Sequence, residues 1–210
     1  MKITKVETYP VNIPLAVSFK TSLGPLETLK KHVIVVVETD EGIKGIGEAT
    51  PDTLYHEESQ EGIVQTIQRY LAPSLIGMDP FDIESIMEKR QRTVVGNPYA
   101  LAAIDFALYD IMGKKTGLPV CKLTGGRYRD KIPVTWVLSL AGKVQDMTKE
   151  AKEAVGKGYR DLKLKVGVDP VLDVERVKVV REAVGDSATI RVDANQGWTP
   201  DQAIKIVRRM

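Results

Sequence analysis

Lys163 and Lys165, in the run Lys163-Leu164-Lys165, and Asp193, twenty-eight residues after Lys165, are the groups in this chain best suited to chemistry. In Leu162–Val166 the lysines alternate with apolar residues, which on a β-strand sends both ammonium groups to one face and Leu164 and Val166 to the other. In Thr189–Asp193 the same alternation puts Ile190 and Val192 on the apolar face, with Arg191, Asp193 and then Asn195 opposite. Residues two apart on a strand are separated by about 6.6 Å. At an effective dielectric near 20, two ammonium groups at that distance repel by roughly 2.5 kcal/mol. That repulsion favours release of one proton and prepares one lysine to act as a general base. Asp193 can offer an oxygen to a hard divalent cation such as Mg²⁺, whose octahedral shell needs more than one carboxylate. A lysine base, a metal and an anionic substrate together suit removal of a proton beside a carboxylate.

The elements that must position these groups are legible in outline. After Asp130, strand-like Val134–Leu140 precedes a helix near Asp146–Lys157. Strand Asp161–Val166 precedes a helix at Pro170–Val184, with Asp169 as N-cap and Pro170 in the first helical position. Strand Thr189–Asp193 precedes a helix opened by the same device, Thr199-Pro200. Strand starts recurring every 27 or 28 residues indicate repeated βα units and a parallel sheet, whose sites lie at the C-terminal strand ends. No glycine-rich phosphate turn follows any of the strands, which weakens a Rossmann reading. Residues 1 to about 130 read as a separate α+β unit. Ile3–Ile13, His32–Thr39 and Ile43–Glu48 have strand character, with a turn at Asp40-Glu41-Gly42. Helices are expected over Glu57–Leu71, Pro80–Gln91 and Tyr99–Lys115, the last stopped by Gly117 with Pro119 beyond it.

Composition narrows the function classes. A chain of 210 residues with 43% hydrophobic and 28% charged residues is ordinary for a globular protein of one or two domains. A net charge of +2 gives no argument for nucleic acid, and no basic cluster interleaved with aromatics appears. The single Cys121 excludes an intramolecular disulfide and fits a reducing compartment. The N-terminus lacks the apolar core of a signal peptide and no run is long enough to span a bilayer, so a cytoplasmic location is expected.

Several motifs together are similar to the enolase superfamily, in its muconate-lactonizing subgroup. They are Lys163-Leu164-Lys165-Val166-Gly167, the Asp173–Gly185 helix region and Arg191-Val192-Asp193-Ala194-Asn195-Gln196-Gly197-Trp198. Gly45-Ile46-Gly47-Glu48, Asn97–Ala100 through Asp105–Asp110, and Leu123-Thr124-Gly125-Gly126 resemble the same family's capping domain and its junction with the barrel. The resemblance implies an α/β fold: an α+β capping domain at residues 1–130, then the first three βα units of a modified (β/α)7β TIM-type barrel at 131–210. It implies Mg²⁺ and abstraction of a proton α to a carboxylate of a small substrate, with a homo-oligomer expected for the complete enzyme. Lys165 matches the general acid/base, Lys163 the neighbour that tunes it and contacts the substrate carboxylate, Asp193 a metal ligand, and Asn195 a polar residue lining the site.

The family takes two further metal carboxylates and a second lysine from later strands. By length about 170 barrel residues are missing, so a C-terminally truncated chain, inactive alone, is expected. In the family two capping loops close over the site; here they correspond to Phe19–Pro25 and Thr50–Glu57, which makes Phe19, Thr21, Tyr55 and His56 candidate substrate contacts. Gly24 stands where an alanyl-glutamate epimerase would be expected to carry an arginine, and Val137 replaces a threonine common among epimerases and cycloisomerases. The expected activity is therefore a racemase, an epimerase or a muconate-type cycloisomerase of unassigned substrate. A non-catalytic truncated fragment and a Schiff-base barrel aldolase are the alternatives. His32, Asp105, Asp110, Trp136, Trp198 and Cys121 read as structural or inert.

Overall fold

The computed structural model describes residues 1–25, 27–53, 57–140 and 143–210. The chain divides into two compact units, one of Met1–Pro14 with Leu29–Tyr128 and one of Leu15–Thr28 with Arg129–Met210. Among the described residues no helix is long and apolar enough to cross a membrane.

The first unit is built on a sheet of order β1-β2-β3, with β1 at Ile3–Phe19, β2 at Glu27–Thr39 and β3 at Lys44–Ala49. β2 and β3 pair antiparallel, with Val35 opposite Gly47 and Val37 opposite Gly45. Val33, Val35 and Val37 are fully buried, as the alternation of a one-sided sheet requires. β1 runs on past Ile13, where Pro14 suggests a stop. It is an edge strand, and there a missing N–H needs no ladder partner.

The helix expected over Glu57–Leu71 begins later, at α1 (Gln60–Thr66), because the Ser59 side chain caps it by accepting from the Gly62 N–H at 3.0 Å. It then continues as a π turn at Ile67–Leu71 and a short α2 (Ala72–Leu75). The π turn lies immediately ahead of Pro73, which has no N–H to donate and crowds the carbonyl four residues back. α3 (Ile83–Thr93) and α4 (Pro98–Thr116) follow, and α4 ends at Gly117 in the left-handed region, φ 69°. A short α5 (Val120–Leu123) was not signalled by periodicity.

α4 lies directly on β3, and its Ala100, Ala103, Ile104, Ala107, Leu108 and Ile111 are fully buried. Only glycine permits this approach. A Cβ at Gly47 would sit 1.8 Å from the Ala103 carbonyl oxygen, and one at Gly45 2.0 Å from that of Ala107. Gly47→Ala is therefore expected to destabilise this unit by about 3 kcal/mol or more, read as a lowered urea midpoint.

The second unit carries a parallel sheet of order β4-β5-β6, with β4 at Thr135–Leu138, β5 at Asp161–Lys165 and β6 at Thr189–Asp193. Each strand is followed by a helix: α6 (Val144–Gly156), α7 (Pro170–Val184) and α8 (Pro200–Val207). Leu138, Leu162 and Leu164 are fully buried with Ala151 and Val180 in one core. The two caps are formed as the sequence indicates. Asp169 accepts from the N–H groups of Val171 at 2.8 Å and Leu172 at 3.2 Å. Thr199 and Gln202 form a reciprocal capping box.

Candidate active site

Parallel register puts Lys165 directly beside Asp193 at the C-terminal ends of β5 and β6. The Lys165 ammonium donates to Asp193 Oδ2 at 2.9 Å and to Asn195 Oδ1 at 2.8 Å. Its side chain is 9% exposed, against 35% for Lys163 and 27% for Asp193. Lys163 Nζ lies 2.9 Å from the same Asp193 Oδ2. The sequence suggests two ammonium groups facing each other. The structure instead sets a carboxylate oxygen between them, so two attractive pairs offset the repulsion.

Burial alone would raise the Asp193 pKa. Hydrogen bonds from Lys165 and Lys163, with the Asn195 backbone N–H at 3.0 Å from Oδ1, outweigh it and hold the carboxyl well below the usual carboxylate range. A carboxyl whose folded pKa lies below its unfolded value of about 3.9 contributes stability that is complete above that value. The contribution drains as pH falls toward the folded value. The stability difference between wild type and Asp193→Asn is thus expected to be constant above about pH 5 and to shrink below about pH 4, measured by chemical denaturation across that range.

The Asp193–Asn195 spacing has a local cause. Asp193 Oδ1 accepts from the backbone N–H two residues on, a side-chain-closed turn that asparagine and aspartate favour. Asn195 and Gln196 both have positive φ, 45° and 63°. Asparagine tolerates that region better than most residues, and the turn brings its side-chain oxygen to Lys165.

The loop after β1 belongs to this same unit. Phe19 lies with its ring centroid 5.9 Å from Lys165 Nζ, within cation–π range. The Lys20 N–H donates to Ser139 Oγ at 2.9 Å, and the Leu140 N–H donates to the Lys20 carbonyl at 3.2 Å. Ser22 Oγ donates to the Ala194 carbonyl at 2.6 Å and to that of Asn195 at 3.2 Å. Thr21 is half-buried between these anchors. Lys163, Lys165, Asp193, Asn195 and Phe19 therefore meet at one place, while Tyr55 and His56 lie outside the described residues.

Two participants escape a reading of the sequence alone. Ser22 sits inside the loop already singled out, but nothing in its spacing says that it reaches Ala194. Asp173 looks like an ordinary acid in the first turn of α7, yet it is fully buried. Three of the residues read as structural, His32, Asp110 and Trp136, make local contacts with residues other than those gathered at this site. His32 Nδ1 pairs with Glu48 and lies 3.1 Å from Thr50 Oγ1, and Asp110 accepts from the Ile46 N–H at 2.8 Å. Trp136 packs edge-on against Tyr159 at 4.9 Å and donates to Glu150. Cys121 is an exposed free thiol.

Asp193 has the chemistry of a ligand for a hard cation: an ionised carboxylate at an accessible strand end. One carboxylate falls short of the several oxygens that such a cation needs. Among the described residues no group of three or more His, Cys, Asp or Glu side chains is placed to hold a metal ion.

Comparison with known proteins identifies the family. The N-terminal domain of the mandelate racemase / muconate lactonizing enzyme family matches residues 3–125, and the enolase C-terminal domain-like family matches residues 146–210. An N-succinyl-L-Arg/Lys racemase from Bacillus cereus is 46% identical over 198 residues, 94% of this chain and 53% of that protein. The crystal structure of the N-succinyl Arg/Lys racemase from that organism superposes with a TM-score of 0.95 at 43% identity, covering 100% of this chain and 56% of the other. A Pseudomonas fluorescens muconate lactonizing enzyme complexed with muconolactone gives 0.94 at 34% identity, over 99% of this chain and 57% of the other. A dipeptide epimerase from Enterococcus faecalis, complexed with Mg and the dipeptide L-Leu-L-Tyr, gives 0.93 at 38% identity, over 99% and 58%. The chain spans about half the length of the curated relatives it matches. Its antiparallel capping sheet, its parallel βα units and these matches along nearly the whole sequence lead to one assignment: the chain belongs to the mandelate racemase / muconate lactonizing enzyme family of the enolase superfamily.

Proposed function

We propose that the protein containing this chain is a Mg²⁺-dependent isomerase that removes the proton α to the carboxylate of an N-acylated amino acid or dipeptide. Residues 1–130 serve as its capping domain and 131–210 as the first part of its barrel. The observation that carries this reading is the buried Lys165 ammonium, held 2.9 Å from Asp193 and 2.8 Å from Asn195 at two adjacent strand ends. Lys165 is the base, accepting the α-proton as the neutral amine after its ammonium has released a proton, and Asp193 is a metal ligand. When bound, the cation would offset the negative charge that develops on the substrate carboxylate as the α-proton leaves.

Other roles in this part of the site fall to side chains of this chain. Asn195 orients the Lys165 amine. Lys163, the more exposed of the two lysines and paired with Asp193, would contact the substrate carboxylate. The Phe19 ring lies within cation–π range of the Lys165 ammonium and helps to hold it in place. The family resemblance assigns further metal carboxylates and a second lysine to later strands, which is why the activity is proposed for the whole protein.

An N-acylated amino acid is favoured over a muconate by the 46% identity over 198 residues to the Bacillus cereus racemase, against 39% over 176 residues for a muconate cycloisomerase from Pseudomonas putida. A panel of N-succinyl amino acids, hydrophobic dipeptides and cis,cis-muconate separates the two. Change of optical rotation with an N-acyl or dipeptide substrate is expected. Loss of muconate absorbance without it would reverse the assignment. Borohydride-trapped substrate with activity surviving EDTA would instead favour a Schiff-base lysine.

A further inference from the structure

Asp173 is a fully buried carboxylate. A charge taken out of water must be paired and hydrogen-bonded to be tolerated, and its partners define what it does. Oδ1 accepts from the Arg176 guanidinium at 2.8 Å. Oδ2 accepts from two donors on two different loops, the Gly167 N–H at 2.8 Å and the Trp198 indole N–H at 3.0 Å. Gly167 stands two residues beyond Lys165, and Trp198 three beyond Asn195. One oxygen atom therefore ties together the loops that leave β5 and β6, immediately past the residues that form the site.

The two loops have no slack between them. The Val166 N–H donates to the Asp193 carbonyl at 3.1 Å, extending the ladder beyond β5. A Cβ on Gly167, whose φ is +104°, would lie 2.3 Å from the Ala194 carbonyl oxygen. Between these contacts sits Asn195 in the left-handed region. A non-glycine residue keeps that conformation only where its surroundings over-determine it. Here Ser22 anchors the chain at Ala194 and Asn195, and Asp173 anchors it at Trp198.

We propose that Asp173 is a positioning residue: by bridging Gly167 and Trp198 it fixes Asn195, and through Asn195 the Lys165 ammonium, in the geometry that the reaction uses. The catalytic half of this statement rests on the reading of Lys165 as the base; the positioning half does not. The side-chain partners of Asp173 are Gly167, Arg176 and Trp198, none of which is Lys165, Asp193 or Asn195.

The test uses the protein containing this chain, with Asp173→Asn, Asp173→Ala and Trp198→Phe. Asparagine keeps an oxygen for both loops but loses the pairing with Arg176; alanine takes the acceptor from the buried Gly167 N–H and from the half-buried Trp198 and Arg176 donors; phenylalanine removes only the indole donor while keeping a ring. Two readouts are taken well below each variant's Tm. One is the ¹H–¹⁵N signal of the Lys165 ammonium, visible while its hydrogen bonds slow exchange with water. The other is kcat and KM for α-proton exchange. Trp198→Phe and Asp173→Asn are expected to broaden the Lys165 signal and to lower kcat by about 10- to 100-fold with KM near its wild-type value, and a folded Asp173→Ala to lower it further. A lower Tm with an unchanged Lys165 signal and unchanged kcat would overturn the proposal. A Lys165 signal that responds in a protein exchanging no α-proton would support positioning and overturn the reading of function.

Discussion

Lys165→Ala is expected to lower turnover of the racemised substrate by about 10²- to 10⁴-fold, the range for loss of a general acid/base. Polarimetry reads the effect directly. The size follows from the geometry: this ammonium is buried, anchored to Asp193 and Asn195, and within cation–π range of Phe19, so alanine removes a base whose position is fixed. Lys165→Arg separates the base role from a purely electrostatic one. Arginine retains the positive charge and can still donate to Asp193 and Asn195, but its guanidinium does not release a proton in proteins. The same loss of turnover with near-normal stability is expected for it. Turnover retained in the arginine variant would assign Lys165 to charge stabilisation alone.

The second large effect concerns Asp193. Its carboxylate lies between two ammonium groups at the end of β6 and is the proposed metal ligand. Asp193→Asn keeps the shape but sets a neutral amide against both lysines, leaving their mutual repulsion without a counter-charge. It also replaces an anionic metal ligand with a weaker neutral one. In the wild-type protein Mg²⁺ at about one hundred times its Kd should add about 2.7 kcal/mol. For a domain of 150–250 residues that corresponds to a Tm rise of about 5–10 °C. In Asp193→Asn the rise is expected to disappear, and EDTA should abolish it in the wild type. A Mg²⁺-induced shift that survives the substitution would place the cation elsewhere.

Much of this was legible in the sequence, for physical reasons that differ by region. The alternation of lysine with leucine in β5, and of arginine and aspartate with isoleucine and valine in β6, gave the strands and the face that carries the site. Capping residues followed by proline fixed the starts of α7 and α8. The capping unit was less transparent. Pro14 is a poor guide to the end of β1 because an edge strand tolerates it, and Pro73 is absorbed by a π turn.

Within the site, sequence spacing set Lys165 and Asp193 side by side but could not show a carboxylate oxygen shared by both lysines. Nor could it reveal Ser22 or Asp173. Their partners lie 172 residues away for Ser22 and 25 for Asp173 with Trp198, and no local periodicity reports such pairs. The buried acid of α7 resembles any first-turn acid until the loops around it are folded.

The central claim is that Lys165 removes a proton from the carbon next to a carboxylate. Incubating the protein with N-succinyl-L-lysine and Mg²⁺ in D₂O, and following the Cα–H resonance by ¹H NMR, tests it most directly. Loss of that resonance is expected with the wild type, together with its persistence in Lys165→Ala. Equal rates of exchange in the two proteins would contradict the claim.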